Sequence, residues 1–151
     1  MSELSSANEY PFSWPVRVYY EDTDTGGVVY YANYLKFYER ARTEALRHIG
    51  FQQEALKNND NLLFVVSSVQ VDYKRPAVLD DELTVFVRIA KMARTYLVFE
   101  QKIVKETDGK EILLNFATVK VACVQGDSYR PQALPQGVVE RFKVLTVDIS
   151  Q

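Results

Sequence analysis

The chain has 151 residues, 47% of them hydrophobic and 25% charged, with a net charge of −2: enough apolar material for one core, without low-complexity bias. That charge balance excludes a broad nucleic-acid footprint, which needs an excess of Lys and Arg to neutralise phosphates. No apolar run reaches the roughly 20 residues of a membrane-spanning helix, the opening "MSELSSANEY" lacks the layout of a secretory signal, and a lone Cys123 leaves no intrachain disulfide, so we expect one soluble cytoplasmic domain over 1–151.

In chain order, residues 1–13 are polar and expected to be flexible. "VRVYY" (16–20), rich in Val and Tyr, reads as a strand. From Asn33, a good N-cap, to His48, the apolar residues Tyr34, Leu35, Tyr38, Ala41, Ala45, Leu46 and Ile49 recur at helical spacing, and Gly50 supplies the stop. Downstream the period becomes two, predicting strands over 66–73, 83–89, 96–104 and 113–124. The turns between them fall at 76–81, at 91–94 and at Asp108-Gly109, which reads as a hairpin. "VVERFKVL" (138–145) suggests a short last helix.

A strand, a helix and then four strands in meander give an α+β domain, an antiparallel sheet with one long helix covering one face. The opposite strand faces carry Phe86, Tyr96, Val98 and Phe116 among polar residues, which predicts that sheet edges or faces pair between subunits.

The chemistry is concentrated in "EDTDTGGVVYYANY" (21–34). As a calcium loop it begins correctly with Asp22, Asp24 and Gly27 but has Asn33 where a bidentate Glu is needed. As a magnesium-dependent phosphatase loop it would use Asp22 as nucleophile and Asp24 as acid, a chemistry usually carried by an alternating parallel sheet. Structurally, it can be a turn whose acids satisfy amides and whose glycines take positive φ. In a fourth reading, the helix start supplies N–H groups for a developing oxyanion, and a carboxylate attacks a carbonyl or activates water.

The stretch "VRVYYEDTDTGGVVYYANYLKFYERARTEALRHIGF" resembles the signature of the 4-hydroxybenzoyl-CoA thioesterase class of hotdog-fold proteins. It is closely similar to the Tol-Pal-associated acyl-CoA thioesterases of the YbgC type. The likeness extends through "VDYKRPAVLDDEL", "ARTYLVFEQKIV" and "RPQALP", covering most of 14–143. It implies a hotdog fold, a sheet of about five strands wrapped around one central helix, and hydrolysis of acyl-CoA to free acid and CoA without metal or cofactor. Residue by residue, the catalytic carboxylate falls on Asp24 and the oxyanion donor on the backbone N–H of Tyr31, where close relatives often carry His. Gly27 lets the loop approach the thioester, and Arg94, Thr95 and Arg130 align with positions that meet CoA.

Lys74 and Arg75 are weaker candidates for the nucleotide. Glu39, Arg40, Arg42, Glu44 and Arg47 have ion-pair spacing on the helix, with Glu39 a minor candidate for supporting the site. His48 lies at the far end of the helix and Cys123 alternates in a strand, and neither is expected to take part in catalysis. The resemblance also implies a homo-oligomer, a dimer of dimers with sites at a subunit interface. Other readings in view are a thioesterase acting on acyl carrier protein, a noncatalytic acyl-thioester binding module and the magnesium phosphatase.

Overall fold

The computed structural model describes residues 9–147. Five strands, β1 (Phe12–Arg17), β2 (Leu62–Tyr73), β3 (Glu82–Met92), β4 (Tyr96–Thr107) and β5 (Lys110–Gln125), form one antiparallel sheet in the order β1-β3-β4-β5-β2. Helix α1 (Tyr34–His48) lies across one face of it, followed by α2 (Gln53–Asp60) and, near the C-terminus, α3 (Gln136–Phe142). The α1 stripe Tyr34, Phe37, Tyr38, Ala41, Ala45 and Leu46 is buried against alternate residues of the sheet, among them Val85, Val87, Phe99, Ile103, Val119 and Cys123. Leu35, expected on that stripe, is exposed instead, and Phe37 takes the inward place.

Four further expectations are corrected. The strand expected at 16–20 is β1, ending at Arg17; Val18 still exchanges hydrogen bonds with Asp80 and Asp81, but Tyr20–Asp22 coil into a 3-10 turn. Only part of 1–13 can be compared, because 1–8 lie outside the described residues. From Tyr10 the chain is packed: its ring is buried against Phe86 and lies under the Arg88 guanidinium, and burial pushes its phenol up to about 12. Phe86 is thereby covered by its own chain rather than offered to a partner. Finally, β2 does not continue into a meander. It pairs with β5 along its length, at the edge opposite β1. The connection from Lys74 to Asp81 crosses past the start of α1, where Val29 N–H donates to Ala77 C=O (2.9 Å) and Ala77 N–H to the Tyr34 hydroxyl (3.0 Å).

The Asp108-Gly109 hairpin forms with both residues at positive φ (54° and 77°), between Thr107 and Lys110, which pair. Cys123 is buried and its thiol is pushed up to about 11 by desolvation. In mildly alkaline buffer the folded protein is therefore expected to leave Ellman's reagent unreacted, while denaturant releases one thiol per chain; rapid labelling of the native state would contradict that burial.

Two polar side chains stand on the apolar face of the sheet. Gln101, fully buried, donates to the Tyr38 carbonyl (3.1 Å) and accepts from Arg42 Nη1 (2.9 Å); the Tyr38 hydroxyl donates to the equally buried Asn115 Oδ1. Asn115 Nδ2 has no hydrogen-bond partner. Burial holds the Tyr38 phenol far above its ordinary range and lowers the Arg42 guanidinium. Among the expected helix ion pairs, Glu44 and Arg47 meet at 2.6 Å.

Candidate active site

The two acids of the loop have different fates. Asp22 is 8% exposed, with Oδ2 accepting from Tyr19 N–H (2.8 Å) and Oδ1 from Asn33 Nδ2 (2.7 Å). Two residues later the chain folds into a tight turn closed by a Thr23–Val29 bridge: Asp24 N–H donates to Val28 C=O (2.9 Å) and Gly27 N–H to Asp24 C=O (3.0 Å). Asp24 Oδ1 accepts from Gly26 N–H (2.8 Å) and Oδ2 has no partner among the described residues, so this exposed carboxylate is oriented but not consumed. Gly27 has φ +84°, a conformation L residues rarely adopt. A Cβ at Gly26 would stand 3.3 Å from Asp24 Oδ1, so the loop is small where it meets the carboxylate.

Beyond the turn, Tyr31–Asn33 form one 3-10 turn running directly into α1. As its first residue, Tyr31 has no carbonyl within the turn to receive its N–H, and that group lies at the positive end of the helix. Asn33 was expected as an N-cap, but its own backbone is already helical (φ −71°, ψ −21°) and its side chain makes no cap bond, being turned to Asp22. Tyr73 closes the other side: its hydroxyl donates to the Tyr31 carbonyl (3.2 Å), and its ring meets those of Tyr31 and Tyr34 at 6.2 and 5.8 Å. Beside this aromatic wall a cleft opens between α1 and β2. It holds two pockets: Leu35, Tyr38, Val66 and Val69 line one, Phe64, Leu97, Phe99 and Phe142 line a second of about 260 Å³, and Glu39 and Arg42 border both.

The model of the thioesterase superfamily matches residues 26–112. This chain belongs to that superfamily. It is 52% identical over 132 residues to the acyl-CoA thioester hydrolase YbgC of Escherichia coli O6:H1, covering 87% of this chain and 96% of that one. It is 47% identical over 131 residues to the acyl-CoA thioesterase YbgC of Haemophilus influenzae, covering 87% and 93%. Among solved structures, a probable thioesterase from Bartonella henselae superposes with a TM-score of 0.75 at 36% identity, covering 82% of this chain and 98% of that one. The five strands around α1 are the hotdog fold.

In this member of the thioesterase superfamily the residues singled out from sequence fall into two groups. Asp24, Gly27 and Tyr31 share one end of the sheet, with Lys74 and Arg75 on the exposed connection after β2. Arg94 and Thr95 occupy the β3–β4 turn, where Arg94 C=O accepts from Leu134 N–H and Thr95 C=O from Cys123 N–H; Arg130 C=O accepts from Gln125 N–H nearby. That second group is at the opposite end, on the order of 35 Å away given the length of β2. Both arginines are exposed and make no ion pair among the described residues. His48 packs against Phe12 (5.4 Å) at the far end of α1. The reading of the sequence missed Asp22 and Tyr73 as partners of the Tyr31 turn; the available signal was Asn33, a polar residue at a helix start with an acid eleven positions before it.

Proposed function

We propose that this chain hydrolyses acyl-CoA thioesters to a free acid and CoA. The loop geometry supports the assignment of roles. The thioester carbonyl sits over the first turn leading into α1, so that its oxygen receives the Tyr31 N–H as it gains charge, while the free oxygen of Asp24 faces the carbonyl carbon. Asp24 then either removes a proton from water as water attacks, or attacks to form an anhydride that water cleaves. In both routes the C–S bond breaks, the CoA sulfur leaves and takes a proton, and water supplies the oxygen of the acid. One such backbone donor is typically worth about two to three powers of ten in rate. The Tyr31 ring, 62% exposed, can supply contact to the substrate but not the acid–base chemistry of the His that the resemblance leads one to expect there.

The working unit in this proposal is at least a dimer. β2 is an edge strand with one free side, flanked by exposed Leu35, Val66, Val69 and Tyr73, the kind of edge that pairs with another chain. Antiparallel pairing of two β2 strands about a two-fold axis sets the Arg94–Arg130 end of one chain beside the Asp24 end of the other, answering the separation within one chain. The partner's Arg94 and Arg130 then meet the CoA phosphates. A dimer of such dimers would use the open sheet face bearing Tyr96, Val98 and Phe116. Among the described residues no helix is long and apolar enough to cross a membrane, and we assign the protein to the cytoplasm, with its CoA substrates.

The observation that carries the reading is the 52% identity, over nearly the whole length, to a relative named acyl-CoA thioester hydrolase. Thiol release from short, long and aromatic acyl-CoAs and from acyl carrier protein thioesters, with EDTA present, tests it. Turnover of the CoA esters supports the proposal; turnover of the carrier-protein esters alone reassigns the substrate. Binding without turnover replaces the enzyme with a binding module, and activity abolished by EDTA returns the metal-dependent reading.

A further inference from the structure

We infer that Asp22 is a positioning residue for the oxyanion donor, clamping the turn that presents the Tyr31 N–H. This rests on the thioesterase reading above. A carboxylate this buried is costly unless its oxygens are engaged. Here both are, and by neutral donors: the Tyr19 amide and the Asn33 side chain, with no cation paired to Asp22 among the described residues. The backbone of Asp22 takes part as well, its carbonyl accepting from Tyr30 N–H (3.1 Å). Residue 30, just before Tyr31, and residue 33, which ends its turn, are thus both tied to one residue, while the Tyr73 hydroxyl holds the Tyr31 carbonyl.

Two donors converging on one side chain explain why an acid stands here. A carboxylate accepts at both oxygens in charge-assisted bonds, whereas an amide would keep both contacts only with the Asn33 amide turned over, and then through weaker neutral bonds. The positive end of α1 favours the negative charge at this place. The placement of the Tyr31 N–H matters because an oxyanion donor works only within about 3 Å of where the charge develops. Asp22 sits two residues before Asp24 in the same loop, so the one segment that orients the attacking carboxylate also fixes the group that receives the charge.

The test compares the wild type with Asp22→Asn and with the Asp22→Asn/Asn33→Asp double variant, in which the hydrogen bond between the two side chains can run in the opposite sense and the Tyr19 amide keeps an acceptor. For Asp22→Asn we expect kcat to fall roughly 10- to 100-fold, with KM within about threefold, and faster hydrogen exchange confined to residues 29–34. The double variant should recover at least tenfold of the kcat and the slow exchange. A lower melting temperature with unchanged kcat per folded molecule would overturn the inference, as would a double variant no better than the single one. If Asp22→Asn does not fold, Asn33→Ala, which removes one donor to that carboxylate, must show the same kcat-selective loss at smaller size, and an unchanged kcat there overturns it too. Should the wild type hydrolyse no thioester, the thioesterase reading fails, and exchange alone decides the clamp: faster exchange at 29–34 in Asp22→Asn, reversed in the double variant, upholds it, and unchanged exchange does not.

Discussion

Replacing Asp24 by Asn is expected to lower kcat for acyl-CoA hydrolysis by about two to four powers of ten, the usual worth of a general base, with little change in KM. Asn is nearly the same size and keeps an oxygen for the Gly26 amide, so the turn should survive, as circular dichroism and the melting temperature would confirm. What disappears is the charge, and with it both routes, since an amide neither removes a proton from water nor forms an anhydride. The residual rate is the share left to the Tyr31 N–H and to binding. Ellman's reagent can follow the reaction because burial keeps Cys123 silent. A variant within threefold of wild type would remove Asp24 from the mechanism.

Mixing two impaired variants is expected to restore turnover of a CoA ester held well below the raised KM of the arginine-lacking one. Arg94→Ala/Arg130→Ala removes the cations at one end of each chain and Asp24→Asn removes the carboxylate at the other. If each site takes its loop from one chain and its arginines from the partner, a heterodimer of the two carries one intact site and one doubly damaged site. Random reassortment then yields roughly a quarter of wild-type turnover from parents with almost none. The arginine variant alone should raise KM for CoA esters, an effect that fades as salt screens the phosphates, while a short thioester lacking the nucleotide is cleaved as by wild type. No recovery after verified subunit exchange would mean that each chain works without its partner's arginines.

Much of the fold could be read locally because it is written locally. Helix α1 announces itself by the spacing of Tyr34, Tyr38, Ala41 and Ala45, and β3, β4 and β5 by alternation, because burial of one face imposes those periods. The Asp108-Gly109 turn is legible because few dipeptides take positive φ twice in succession. The place of β2 was not, since a strand alternates in the same way whichever neighbour it pairs with, and the crossing at 74–81 depends on contacts with Val29 and Tyr34 far away in sequence. Helix α2 escaped notice because, among its described side chains, Leu56 alone is buried, which leaves no stripe to read. At the site, the motif singled out Asp24 and Tyr31. The role of Asn33 was misjudged because its local preference for capping is overridden by Asp22.

The polar row beneath α1 has a consequence for how finely the helix is registered on the sheet. Apolar surfaces attract without direction, and a helix held by them alone could rise along its axis or roll by a fraction of a turn at small cost. Gln101 and Asn115 remove that freedom. Their bonds to the Tyr38 carbonyl and hydroxyl, and that of Gln101 to Arg42, break with any such displacement, and a desolvated donor or acceptor left alone costs about 1–3 kcal/mol. With Asn115 Nδ2 already unpartnered, there is no spare hydrogen bond to absorb the loss. The axial coordinate of α1, and hence the height at which its first amide stands above the loop, is therefore fixed from within the core of the sheet, one helical turn beyond Tyr34.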